Sequence, residues 1–207
     1  MVPIVTKKNI DNFPQLKIVL SESIDRMAKS IEHIAATIGD NDISILNEVQ
    51  KVSEELSELE STASTFFLHS LLSDYTNCTQ EISRTIRKLS LKDQGAIIVI
   101  EKHDPVSPHI SGGTPLHARI STQLLESIFN PESPIHSGAV VIQSDSVVSA
   151  SNVLPATEVV YWNRMFDSRE VAAVGLTERC DALVLVVGDK GSTSFSIGGK
   201  LYPFSAG

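Results

Sequence analysis

The sequence predicts an α/β protein with a mixed central β-sheet flanked by helices, preceded by an amphipathic helical hairpin and a linking helix. Three observations predict it. Apolar residues recur at steps of three and four from Leu20 to Leu89, short runs of buried-strand character replace that pattern after Asp93, and strands then alternate with helical segments. The change of texture divides the chain into a helical region, 1–90, expected to serve regulation or oligomerisation, and an α/β region, 91–207.

In the first region Leu20, Ile24, Met27, Ile31, Ile34 and Ile38 fall on one helical face. Gly39, Asp40, Asn41 and Asp42 supply a stop and a new N-cap. A second stripe follows, Ile45, Val49, Val52, Leu56 and Leu59, with Glu48, Glu54, Glu55, Glu58 and Glu60 on the solvated side. The two stripes should face each other as an antiparallel hairpin. A third helical stretch runs from about Thr65 to Leu89 and should bend near Asn77.

In the second region Gly95 to Ile100 reads as a buried strand. Leu116 to Phe129 has helical spacing at Ile120, Leu124, Leu125 and Ile128, closed by Pro131 and Pro134. Ala139 to Gln143 and Val147 to Ala150 flank Ser144-Asp145-Ser146 as a hairpin, and Leu183 to Val187 is another buried strand. Gly188, Gly191, Gly198 and Gly199 around the last strands suit hairpin turns.

Composition narrows the function classes. A formal charge of -8 in 207 residues argues against the basic footprint that nucleic-acid backbones require, so no nucleic-acid partner is expected. The longest apolar runs, Ala96 to Ile100 and Ala182 to Val187, are strand-sized, so no membrane partner is expected. Lys7 and Lys8 are followed by Asp11 and Asn12 rather than by an apolar signal segment. With only Cys78 and Cys180, far apart, a reducing cytoplasm fits best. No Gly-x-Ser-x-Gly elbow, phosphate-cradling Gly-x-x-x-x-Gly-Lys-Ser/Thr loop or Gly-x-Gly-x-x-Gly turn occurs. His103, His109, His117 and His136 lack the spacing of a helical metal pair and read as independent loop histidines. His136 stands apart because it enters Ser137-Gly138-Ala139, where a tight loop delivers the chain into a strand.

Longer blocks carry more information. Leu124-Leu-Glu-Ser-Ile-Phe-Asn-Pro-Glu-Ser-Pro-Ile-His-Ser-Gly-Ala-Val-Val-Ile142 resembles the signature region of diadenylate cyclase domains, which also occur in the DNA-integrity scanning protein. Further blocks match in the same order: Ala150-Ser-Asn-Val-Leu-Pro155, Ala172 to Glu178, Asp181 to Val187, and Gly199-Lys-Leu-Tyr-Pro203. The length and the leading hairpin resemble the soluble, sporulation-associated branch of the family.

The resemblance implies condensation of two ATP molecules into cyclic di-AMP with release of pyrophosphate, a divalent metal (Mg²⁺ or Mn²⁺), and two domains face to face, hence a homo-oligomer. It implies adenine-nucleotide contacts at His136, Gly138, Ala139, Leu154, Ser168, Arg169, Glu170, Val171, Gly188, Asp189 and Lys190, with Ser137 at the catalytic position. The polar positions depart from the family pattern. Ser137-Gly138-Ala139 replaces Asp-Gly-Ala, whose carboxylate helps bind metal and activate the attacking 3'-hydroxyl. Asp167-Ser168-Arg169-Glu170-Val171 replaces Gly-Thr-Arg-His-Arg, which contacts phosphates, and Gly188-Asp189-Lys190 replaces Ser-Glu-Glu. Losing a positioned general base costs about 10²- to 10⁴-fold in rate, and a neutral hydroxyl is a poor ligand for Mg²⁺ or Mn²⁺. A carboxylate such as Asp167 or Asp189 could instead supply the metal ligand. Two functions follow as expectations: a cyclase of low activity, or a non-catalytic nucleotide-binding or regulatory subunit that pairs with an active cyclase.

Overall fold

A computed structural model describes residues 13–37, 42–158 and 165–206. The chain forms two compact units, Met1–Ser70 and Leu71–Gly207. The division falls inside a helix, whereas the change in sequence texture falls near residue 90.

In the first unit, α1 (Phe13–Thr37) is followed by α2 (Asp42–Tyr75). The expected turn at Gly39, Asp40 and Asn41 lies outside the described residues. The second expected stretch and the first part of the third, to Tyr75, are one helix of 34 residues. No glycine or proline interrupts positions 42–75. Within this helix Thr62 and Thr65 donate their hydroxyls to the carbonyls of Glu58 and Ser61 (2.9 and 2.7 Å), so these polar side chains are satisfied along the helix. His33 Nε2 lies 3.5 Å from Glu48 Oε1, joining α1 to α2. Met27 is buried and Leu20, Ile34, Val52 and Leu59 are half-buried, but Ile24, Ile31, Val49 and Leu56 remain exposed. The apolar faces are thus wider than the hairpin itself covers.

The second unit begins within the last turns of α2, at Leu71. Thr76 and Asn77 leave the helix, and the Asp145 carboxylate accepts from the Thr76 hydroxyl (3.3 Å) and the Asn77 amide (3.2 Å), fixing the bend the sequence places near Asn77. Then α3 (Thr79–Leu91) buries Ile82, Thr85, Ile86 and Leu89. Seven strands follow: β1 (Ala96–Glu101), β2 (Ser111–Arg119), β3 (Ala139–Gln143), β4 (Ser146–Val153), β5 (Leu183–Val187), β6 (Thr193–Ile197) and β7 (Lys200–Pro203). They form one mixed sheet in the order β2-β4-β3-β1-β5-β6-β7. Central β1 pairs in parallel with β3 and antiparallel with β5. These three strands are almost continuously buried runs of Val, Ile and Leu, as a sheet covered on both faces requires.

Two helices punctuate the strands, α4 (Thr122–Phe129) and α5 (Ser168–Thr177). α4 packs with α3, and α5 lies on β5 and β6. Ala173 and Leu176 of α5 join Ile97, Val99, Val141, Val184 and Val186 in one apolar cluster. The helix expected over Leu116 to Phe129 is corrected here: Leu116 to Arg119 belong to β2, and the helix starts only after Ser121. Ser121 is extended, and its hydroxyl accepts from the Leu124 amide at 3.2 Å, an N-cap that starts α4 one residue later.

At the sheet end carrying the C-terminus of β1, Asp181 accepts from the amides of Asp104 (2.9 Å) and His103 (3.2 Å), and its carboxylate lies 3.0 Å from His103 Nδ1. Burial alone would raise this carboxyl, but those bonds outweigh it and hold it below the ordinary carboxylate range. A depressed folded value contributes stability above the unfolded pKa and loses it as pH falls through the folded one. Asp181→Asn is therefore expected to flatten the acid limb of melting temperature against pH below about pH 4; an unchanged acid limb would remove this contribution.

Candidate active site

The topology gathers the expected site residues at one end of the sheet. Parallel β1 and β3 both start there, with Ile97 opposite Ala139, while antiparallel β4 and β5 both end there, with Asn152 opposite Ala139 and Val187 opposite Ala96. The loop 136–138 before β3, the Leu154 segment after β4, the N-terminus of α5 and the turn after β5 consequently share this edge.

The entry to β3 is held by backbone geometry. Gly138 has φ +89°, a conformation that disfavours side chains, and a Cβ there would come within 2.7 Å of the Asn152 carbonyl oxygen. Asn152 is itself buried, donates to the Ala139 carbonyl at 2.9 Å and accepts from the Ser149 hydroxyl at 3.1 Å. Ala139 is buried as the first residue of β3. His136 is exposed, with Nδ1 2.6 Å from the Ser133 carbonyl oxygen, and Ser137 stands exposed at the tip. Leu154 is half-buried and packs on the apolar cluster beneath α5.

The other half of the edge is built around the start of α5. Asp167 is the N-cap: its Oδ1 accepts from the Glu170 amide at 2.8 Å, while Glu170 Oε2 accepts from the Asp167 amide at 3.3 Å, a complete capping box. Glu170 Oε1 accepts from the Ser194 hydroxyl of β6 at 2.9 Å, and Glu170 is only 7% exposed. The Glu170 side chain is thus directed into the fold, where it braces helix against sheet. Ser168 is exposed, and Val171 is half-buried with its amide bonded to the Asp167 carbonyl at 3.0 Å. Arg169 points along the edge. Its Nη1 lies 3.0 Å from Asp189 Oδ1, and its guanidinium occupies the space where a side chain at Gly95 would stand.

Asp189 and Lys190 sit on the turn after β5, with Lys190 in the left-handed region at φ +61°. Gly188 closes that turn by donating its amide to the Ser192 carbonyl at 2.8 Å, and a Cβ on Gly188 would meet Asp167 Oδ2 at 2.7 Å. Ser90 at the end of α3 donates to the Gly191 carbonyl at 2.6 Å, anchoring the turn. The loops around Arg169 are therefore mutually fixed, whereas Ser137 shares their edge on the neighbouring strand. A separate polar cavity of about 470 Å³, lined by residues including Glu101, Lys102, His117 and Gln143, lies at the opposite end of the sheet.

Comparison with known proteins identifies the scaffold. The DAC family model, described as DisA bacterial checkpoint controller nucleotide-binding, matches residues 83–201, and the model for the N-terminal part of diadenylate cyclase CdaS matches residues 9–75. The chain belongs to the diadenylate cyclase family. It is 36% identical to diadenylate cyclase CdaS of Bacillus thuringiensis over 92% of this chain and 96% of the relative. It is 40% identical to cyclic di-AMP synthase CdaS of Bacillus subtilis over 82% of each. Among solved structures, a hypothetical membrane spanning protein from Bacillus cereus aligns with TM-score 0.70 at 36% identity, covering 93% of this chain and 95% of that one. DacA from Staphylococcus aureus, as a double mutant, aligns with TM-score 0.58 at 31% identity over 61% and 86%. No helix among the described residues is long and apolar enough to cross a membrane.

Within the cyclase family framework, one feature of the site is legible in the sequence and a second is not. Asp167-Ser-Arg-Glu170 has the spacing of a capping box, a local signal for the start of α5, whereas the bond from Ser194 to Glu170 joins elements distant in sequence. Gly95 reads as the first residue of a strand, and only the three-dimensional path of Arg169 reveals what it leaves room for. The brace yields a prediction. Glu170→His should remove two carboxylate acceptors from buried or capping donors and lower stability by about 1–3 kcal/mol, read as a fall in thermal midpoint. An unchanged midpoint would show the brace to be energetically idle.

The donors at this edge do not form a divalent-cation set. Ser137 offers a neutral hydroxyl, Asp167 receives the Glu170 amide, and Asp189 faces Arg169. Among the described residues no group of three or more His, Cys, Asp or Glu side chains is placed to hold a metal ion.

Proposed function

We propose that this chain binds ATP at the Arg169 edge and, paired face to face with a second copy, cyclises two ATP to cyclic di-AMP very slowly. The observation that carries the reading is Ser137: an exposed hydroxyl on a loop whose backbone is locked by Gly138 and Asn152. In the condensation each 3'-hydroxyl attacks the α-phosphorus of the opposite nucleotide, a P–O bond forms, the bond to pyrophosphate breaks, and the hydroxyl proton must be taken up. A serine hydroxyl is neutral near pH 7 and accepts that proton poorly, so turnover falls by about the 10²- to 10⁴-fold that a positioned base supplies. Arg169 can still donate to phosphate oxygens by charge-assisted hydrogen bonds, which supports retained nucleotide affinity. Mg²⁺ or Mn²⁺, implied by family resemblance, would have to be held largely by the nucleotide's own phosphates.

Titration of the purified chain with ATP, followed by product analysis, tests this reading. Saturable binding with little cyclic di-AMP is expected; rapid product formation, or no binding, overturns it. The same observation at Ser137 favours one further role, a regulatory subunit that pairs with an active cyclase and contributes a defective half-site. Mixing with an active relative should then depress cyclic di-AMP production, and unchanged activity at saturating ratios would exclude it.

A further inference from the structure

We infer that Gly95 is a positioning residue for nucleotide binding: its missing side chain forms the berth that holds the Arg169 guanidinium along the site edge. The inference rests on the reading of Arg169 as a phosphate donor. A Cβ built on Gly95 would lie 2.3 Å from Arg169 Nη2, 2.4 Å from Cζ and 2.7 Å from Nε, so the planar group lies directly across this backbone. These distances are far inside van der Waals contact. The clash would be with the far end of a flexible side chain rather than with backbone, so an alanine here displaces Arg169 and leaves the strand in place.

The berth is fixed on each side. The Gln94 amide donates to the Leu89 carbonyl at 2.9 Å, and the Gln94 side-chain amide donates to the Phe129 carbonyl, tying the approach to β1 to both α3 and α4. Ala96 is already in the buried ladder opposite Val187. Gly95 therefore cannot withdraw to make room. On the other side Asp189 Oδ1 engages Nη1 at 3.0 Å, on a turn pinned by the Ser90 hydroxyl. Because the Asp189 side chain is 81% exposed, this ion pair is weak and displaceable, so it orients the guanidinium without competing strongly with phosphate. The steric berth, which solvent does not screen, does most of the aiming. Arg169 itself is one-third exposed, leaving donors free for a ligand.

The test is a double-mutant cycle on the full chain, with ATP as the titrated probe in the presence and absence of Mg²⁺. Arg169→Ala is expected to weaken ATP binding by roughly tenfold to a hundredfold, the loss of a charge-assisted bond. Gly95→Ala should reproduce about tenfold of that loss while moving the thermal midpoint by less than about 2 °C, and in an Arg169→Ala background it should add less than about twofold. Full additivity of the two changes, or normal ATP affinity in Gly95→Ala, overturns the berth. Normal affinity in Arg169→Ala overturns instead the underlying reading of Arg169, so the two failures are distinguishable. A fall in midpoint large enough to unfold Gly95→Ala also counts against the inference, since it would make the glycine a structural requirement of the strand.

Discussion

Replacing Ser137 by Asp is expected to raise cyclic di-AMP formation from ATP with Mn²⁺ by roughly 10²- to 10⁴-fold, the usual contribution of a positioned base. The position is prepared for it. Ser137 is exposed, so a carboxylate placed there suffers little desolvation, and the loop beneath it is fixed by the Gly138 conformation and the Asn152 bonds. Burial of the new group is not required, and the thermal midpoint should move by no more than about 2 °C. Chromatographic measurement of cyclic di-AMP at saturating ATP checks the expectation. An unchanged rate in Ser137→Asp would overturn the reading that the missing carboxylate limits turnover.

Gly138→Ala should have the largest effect on stability of any single change at the site, about 2–4 kcal/mol. Two penalties combine. At φ +89° an alanine is forced into the left-handed region, and its Cβ would approach the Asn152 oxygen at 2.7 Å and the Ser151 carbonyl carbon at 3.0 Å. Those atoms are backbone of β4, which is paired with both β2 and β3, so they cannot yield as a side-chain tip would. The fall in thermal midpoint should be on the order of 10 °C, accompanied by loss of nucleotide binding as β3 shifts. A normal midpoint would mean that the loop relaxes, and that its rigidity does not position Ser137.

The contrast between Gly138 and Gly95 shows why glycines at one edge differ in meaning. At Gly138 the obstacle is backbone and the conformation is special, so substitution damages the fold. At Gly95 the obstacle is the end of the flexible Arg169 side chain, so substitution is expected to shift that side chain while sparing the strand.

Much of the fold was legible because its signals are local. Runs of Val, Ile and Leu at 96–100, 139–142 and 183–187 announced the three central strands, and Gly198-Gly199 announced the turn between β6 and β7, where both have positive φ. Helix α4 was placed too early because Leu116 and Ile120 happen to continue its apolar spacing, while the pairing of β2 with β4 is a long-range contact that periodicity does not report. The expected boundary near Thr65 is absent because no glycine or proline interrupts positions 42–75, so α2 runs on to Tyr75. At the site, block resemblance supplies the expected positions only. It did not show that Glu170 braces α5 against β6 or that Arg169 lies across Gly95, because both depend on elements distant in sequence.

Nucleotide binding is expected to persist with Ser137 standing in place of the family's carboxylate. It is tested most directly by incubating the unaltered chain with labelled ATP and Mn²⁺, isolating the protein, and identifying the retained nucleotide by chromatography. Retained, intact ATP is the predicted result. Retention of cyclic di-AMP formed within the incubation at a rate matching the Ser137→Asp variant, or no retained nucleotide at all, would contradict it.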